Sequence, residues 1–189
     1  MVGAGALGSW ISANLAVDLQ NEAEIAVVDF DTVEPRNWQA GTQFYHPTQL
    51  GNQKVSALRF NIYQWLRVKI KSVNTRISKD NTSLLLEPDL IIDALDNYES
   101  RKLISEYCEK SNTPCVHVGF SPERTFVIQW NKNYRVSENR KGDFDLCTAS
   151  GARSFIQYVA GLASTVVQEY VRTGEKKSFA GNRFSVQSL

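Results

Sequence analysis

The first eight residues constrain this chain more than any other stretch. Val2-Gly3-Ala4-Gly5-Ala6-Leu7-Gly8-Ser9 carries the spacing G-x-G-x-x-G, and twenty-one residues beyond Gly8 the apolar run Ile25-Ala26-Val27-Val28 ends in Asp29. Glycines so spaced permit a tight turn, then close approach of the backbone to a phosphate, then close packing of the following helix. That helix aims its first N–H groups at an anion, and a carboxylate ending the next strand is placed to take a ribose hydroxyl. The pattern predicts a nucleotide site without saying which nucleotide. The strand expected before the glycines is cut to Met1-Val2.

A chain of 189 residues suffices for one domain with a substantial core. Its 21 basic and 20 acidic residues leave a net charge of +1, which gives no electrostatic case for nucleic acid or an anionic membrane as partner. No apolar run approaches the roughly 18 residues of a membrane span. The N-terminus lacks the charged-then-apolar pattern of a secretory signal. Cys108, Cys115 and Cys147 are odd in number and form no C-x-x-C. That fits reduced thiols in the cytoplasm and speaks against structural zinc.

Apolar residues at 7, 10, 11, 15 and 19 predict a first helix, and 24–29 a buried strand, so the chain opens as strand, turn, helix, strand. The polar stretch 30–51 is too long for a mere connection, and loops of that length are usually functional. Val55, Leu58, Ile62, Trp65 and Leu66 predict a second helix, and alternation over 68–73 a half-exposed strand. A short helix follows at Leu84-Leu85-Leu86, then a buried strand at 89–94. Further on come a helix at 98–110 and strands at 115–118 and 124–130. The polar segment 131–147 reads as a loop, and 153–172 as a long helix with an apolar face broad enough for core and a subunit contact. The residues past Gly174 read as a tail with a short strand at 184–186.

Four motifs in order carry a resemblance. The glycine turn is followed by Val28-Asp29-Phe30-Asp31-Thr32-Val33, then Asn37, then Gly51-x-x-Lys54, then Asp93-Ala94-Leu95-Asp96-Asn97 with Arg101. From about residue 2 to residue 172 the chain resembles the ThiF/MoeB/HesA family, bacterial relatives of the ubiquitin-activating enzymes. The resemblance implies an α/β, Rossmann-like fold. Its sheet would be mostly parallel and doubly wound, with helices on both faces and an antiparallel extension near 124–130. Residues 1–174 would form the adenylation domain and 175–189 a C-terminal tail.

It also implies binding of ATP and Mg²⁺ and adenylylation of the C-terminal carboxylate of a small ubiquitin-like or sulfur-carrier protein, with release of pyrophosphate. Gly3, Gly5, Ala6 and Gly8 would line the phosphate turn. Asp29, with Asp31 beside it, would serve the nucleotide, and Asn37 would stand near the triphosphate. Lys54 would contact phosphate as a point charge, and Asp96 would hold the metal. Relatives dimerise, so a homodimer or heterodimer is implied.

The chain departs from the family at Ala40, where an arginine is expected beside the phosphates; Arg36 is the nearest substitute in sequence. Paired C-x-x-C zinc ligands and a segment ahead of the first strand are also missing. A second reading is therefore a catalytically impaired scaffold subunit of the same fold. A third, an NAD-dependent oxidoreductase, shares the glycine turn and Asp29 but gives no role to Lys54 or Asp96-Asn97. Cys147 is a candidate for a thioester or persulfide with the carrier, whereas Cys108 and Cys115 read as core. Asp93, His46 and His117 read as structural, and Trp10, Trp38, Trp65 and Trp130 as packing. Asp96 or Asn97 is also placed to cap the helix that begins near Tyr98.

Overall fold

The computed structural model describes residues 1–81, 88–135 and 149–189. The predicted helix at 84–86, Cys147 and most of the 131–147 loop lie outside those residues.

The glycine turn leads into α1 (Ala6–Asp18), and the chain returns as β1 (Ala26–Asp29). The long polar stretch holds a short helix, α2 (Pro35–Gln39), and one 3₁₀ turn at Pro47–Gln49. Then come α3 (Lys54–Leu66), β2 (Lys71–Asn74), β3 (Ile91–Asp93) and α4 (Tyr98–Ser111). Strands β4 (Cys115–Phe120) and β5 (Thr125–Trp130) precede the long helix α5 (Ala152–Thr173). The chain closes with β6 (Phe179–Asn182) and β7 (Ser185–Ser188).

β1 pairs in parallel with β2, and β3 in parallel with β4. Val2 joins the two pairs, bridging Val28 on one side and Asp93 on the other. The clipped first strand is thus present as the central line of the sheet, tied by Val2 N–H to the Ile92 carbonyl and Gly3 N–H to the Val28 carbonyl, each at 2.9 Å. The parallel order is β2, β1, Val2, β3, β4, which reverses direction between Val2 and β3. That reversal is the topological switch point of an open parallel sheet, where a crevice opens beyond the carboxyl ends of the strands.

Alternation along the strands sorts the core. Ile92, Val116 and Val118 face α1 and α5, whereas Ile91, Cys115 and Val28 face Ile104 and Cys108 of α4. Val27 packs with Val55, Leu58 and Ile62 of α3. Helices therefore cover both faces. From β4 onward the pairing is antiparallel, through β5 and β6 to β7. The expected short strand at 184–186 is one arm of a hairpin whose other arm, unforeseen, pairs with β5, setting Phe179 opposite Ile128. Trp65 also departs from expectation. It lies on the apolar stripe of α3, but in the last turn nothing covers it and it is 73% exposed. Among the described residues no helix is long and apolar enough to cross a membrane.

Candidate functional site

The glycine turn divides its three roles by position. Gly3 has φ +94°, and a Cβ there would meet the Ala94 carbonyl oxygen at 2.9 Å. At Gly8 a Cβ would lie 1.9 Å from the Gly3 carbonyl oxygen, so the helix can approach its own turn only as glycine. Gly5 has nothing within 4 Å of its Cβ position. The middle glycine therefore borders open space at the N-terminus of α1, the end of a helix whose first N–H groups have no intrahelical partner.

Asp29 stitches the turn to the end of β1. One carboxylate oxygen accepts the Ala4 N–H at 2.6 Å and the other the Asp31 N–H at 2.8 Å. Tyr45 closes the turn from the far side, donating its hydroxyl to the Ala4 carbonyl at 2.7 Å. Burial pushes that phenol's pKa well above its ordinary value, helped by the negative charges of Asp29 and Asp31.

Lys54 opens α3. It is 7% exposed, and its Nζ donates to Asp31 Oδ2 at 2.9 Å. The Lys54 N–H also donates to the Asp31 carbonyl at 2.8 Å, so the loop after β1 fixes both ends of this lysine. Asn37 is buried on α2 and its Oδ1 accepts the Glu34 N–H at 2.7 Å, which anchors the helix. Arg36 is exposed and donates Nε to Glu34 Oε2 at 2.7 Å. The indole N–H of Trp38 is buried without an acceptor, and so is Gln43 Oε1 without a donor, among the described residues.

Across the switch point the carboxyl end of β3 carries the second half of the site. Asn97 is the residue that caps α4, accepting the Ser100 N–H at 2.9 Å. Asp96 is exposed, and its carboxylate takes part in no hydrogen bond or ion pair among the described residues. Asp93 is fully buried and organises the loop beneath. Its carboxylate accepts the Leu95 N–H at 3.0 Å, meets His117 Nδ1 at 2.7 Å and stands 3.6 Å from the Arg101 guanidinium. Arg101 also donates to the Leu95 carbonyl at 2.5 Å, the Val118 carbonyl at 2.6 Å and the Tyr134 hydroxyl at 2.9 Å. Burial works against its charge, yet Asp93, Tyr134 and Asp96 together raise its pKa above the ordinary value.

His117 completes the group, with Nε2 against Asn131 Oδ1 and its ring stacked on Tyr134 at 3.8 Å. Sequence reasoning gave His117 no partner. The signal was its register, since His117 sits directly opposite Asp93 across the β3–β4 pair. Cys108 and Cys115 are buried free thiols, as expected, and burial first, then the neighbouring Cys108, pushes the Cys115 thiol up. Among the described residues no cluster of three or more His, Cys, Asp or Glu side chains stands ready to hold a metal.

The sequence profile of the ThiF family matches residues 1–189, and the chain belongs to that family. It is 33% identical over 120 residues to the SAMP-activating enzyme E1 of Haloferax volcanii, covering 62% of this chain and 43% of that protein. It is 25% identical over 190 residues to a probable molybdopterin-synthase adenylyltransferase of Porphyra purpurea, covering 95% of this chain and 49% of that one. The chain thus spans less than half the length of these curated relatives. The fold matches a crystal structure of E. coli MccB with ATP at a TM-score of 0.74 and 15% identity, covering all of this chain and 62% of that one.

Proposed function

We propose that this ThiF-family chain binds ATP at the crevice between the glycine turn and the β3 end, and there adenylylates a carrier's C-terminal carboxylate. The carrier is a small ubiquitin-like or sulfur-carrier protein. The observation that carries the reading is convergence at one switch point of three features. These are an anion-accepting turn with open space at Gly5, a nearly buried lysine held by Asp31, and an exposed carboxylate at Asp96 spent on no bond among the described residues. A plain dinucleotide site has no use for the last two.

In this reading the carboxylate oxygen attacks the α-phosphorus, a C(O)–O–P bond forms, and the α–β P–O bond breaks. Pyrophosphate leaves with the electron pair. Two anions must be brought together, so positioning and neutralisation of phosphate charge supply most of the catalysis. The first N–H groups of α1 receive phosphate oxygens. Asp29 is placed for the ribose, and Asn37 holds the α2 segment against the site. Lys54 offers a compact positive charge, which Asp31 aims. Asp96 suits Mg²⁺, a hard cation that takes only one or two protein carboxylates when phosphates supply other oxygens. Bound there, the metal would neutralise phosphate charge.

The network of Asp93, His117 and Arg101 is a brace. It fixes the backbone of residues 94–97 and so holds Asp96 at the crevice.

The test is calorimetry with ATP–Mg²⁺, AMP and NAD in parallel, followed by pyrophosphate exchange with Gly-Gly-ending carrier proteins. ATP binding and carrier-dependent exchange are expected. NAD binding without ATP binding refutes the reading, and ATP binding with no exchange for any carrier selects the scaffold alternative that Ala40 motivates.

A further inference from the structure

Ala40 removes a cation from the α2 turn, and the structure brings another to the same place from a distant helix. α1 and α5 run parallel in a fixed register. Asn14 bonds Ser164, Asp18 bonds Gln168 and Glu22 bonds Arg172, each pair 150 residues apart. With a rise of about 1.5 Å per residue in both helices, the same offset sets Arg153 in the first turn of α5 level with the glycine turn. The two helix N-termini thus face the same end of the sheet.

The contacts of Arg153 agree. Its Nη1 lies 3.1 Å, and its Cδ 3.2 Å, from the point where a Cβ on Gly41 would stand. Its guanidinium carbon is 5.8 Å from the centroid of the Trp10 ring, one turn into α1. Trp10 is itself tied to this loop, donating Nε1 to the Thr42 carbonyl at 2.9 Å. The guanidinium therefore rests beside Gly41 and Trp10, which the bond to Thr42 ties together. The hydrogen in place of a side chain at Gly41 leaves the space it fills. None of the ion pairs among the described residues involves Arg153, whereas Arg36 is paired with Glu34.

We propose that Arg153 is the arginine that contacts the triphosphate of ATP, in the position that Ala40 leaves without a cation. The assignment rests on the ATP reading above. A guanidinium lying over an aromatic ring keeps its N–H donors available, and its planar fork suits two phosphate oxygens at once. The triphosphate cation would then come from the last helix of the sheet's helical layer instead of from the loop after β1.

Calorimetry with ATP–Mg²⁺ and with AMP tests this on the intact chain, with wild type, Arg153→Ala, Arg36→Ala and the double variant Arg153→Ala/Ala40→Arg. Arg153 is exposed, so a denaturation midpoint equal to wild type is expected and confirms that each variant is folded. Arg153→Ala is expected to lose tenfold or more in ATP affinity while AMP affinity stays within threefold. Adding Ala40→Arg is expected to recover most of the loss, and Arg36→Ala to stay within threefold for both ligands. ATP affinity within threefold of wild type in Arg153→Ala overturns the assignment, as does an equal loss for ATP and AMP. A double variant as weak as Arg153→Ala also overturns it, because the lost charge then lies elsewhere. A wild-type chain that binds no ATP fails at the first titration, which overturns the underlying reading and this assignment together; the other outcomes leave the ATP reading standing.

Discussion

Gly5→Ala separates folding from binding at the phosphate turn. The residue has φ −77° and ψ −149°, and nothing lies within 4 Å of the added Cβ. A methyl group in open space meets no clash, so the stability change is expected to stay within about 1 kcal/mol. A phosphate oxygen accepting the first N–H groups of α1 needs that same space. Loss of one charge-assisted hydrogen bond costs about 1.5–3 kcal/mol, which is about a 10- to 150-fold weaker affinity. Gly8→Ala is the contrast. Its Cβ would stand 1.9 Å from the Gly3 carbonyl oxygen and 2.8 Å from the carbonyl carbon, while Gly3 N–H is held by Val28 at 2.9 Å. Overpacking against a fixed backbone costs about 1–3 kcal/mol or more. Urea unfolding and ATP–Mg²⁺ calorimetry on both variants give the two quantities. Wild-type affinity in Gly5→Ala would place the phosphate somewhere else, and a stability loss above about 2 kcal/mol would show that the space beside Gly5 is filled.

Three further outcomes are expected. Lys54→Ala and Asp96→Ala should each lower carrier-dependent pyrophosphate exchange by about 100-fold or more while retaining wild-type circular dichroism; unchanged exchange removes that residue from the chemistry. Asp93→Ala leaves the buried Arg101 without its carboxylate and should lower unfolding free energy by about 3 kcal/mol; a loss under about 1 kcal/mol would show that the brace is not strained by the missing charge. Tyr45→Phe tests the alkaline limb. The unfolded phenol ionises near 10.0, whereas the folded one is held protonated well above that by burial and by Asp29 and Asp31. The unfolded state therefore sheds a proton that the native state keeps, and this contribution to stability is present below pH 10 and lost as pH rises towards the folded value. Phenylalanine should cost about 1 kcal/mol at pH 8 from the missing bond to Ala4, a deficit that shrinks by up to about 1.4 kcal/mol per pH unit above 10. A deficit of constant size from pH 8 to 11 would refute the argument.

Local chemistry was legible in the sequence where it depends on a few neighbours. The tight turn at Gly3, the close packing at Gly8, a cap at Asp96 or Asn97 and the two-faced burial of the parallel strands follow from spacing and alternation alone. What escaped depends on register or on what lies opposite. Asp93 and His117 are 24 residues apart and meet only because β3 and β4 pair at those positions. Trp65 keeps the period of its helix, but period does not say whether a last turn overhangs the sheet. Phe179-Ala180-Gly181-Asn182 has no alternating apolar pattern, since pairing to β5 on one side and β7 on the other, and not a buried face, defines it as a strand. Arg153 stands more than a hundred residues from Ala40, and only the parallel packing of α1 and α5 brings it near.

That packing also sets an order of assembly. Leu7, Ile11, Leu15 and Leu19 of the first helical segment are buried with Phe155, Ile156, Val159, Ala163, Val166 and Val167 of α5. Contacts this far apart in sequence carry the loop-closure cost of the whole intervening chain and form late. During synthesis the glycine turn is made well before α5, so one side of the helix behind it stays uncovered until α5 has left the ribosome. A nascent chain ending before Ala152 would present the apolar side of α1 that α5 later covers, so the helix behind the turn is fully packed only with the last helix.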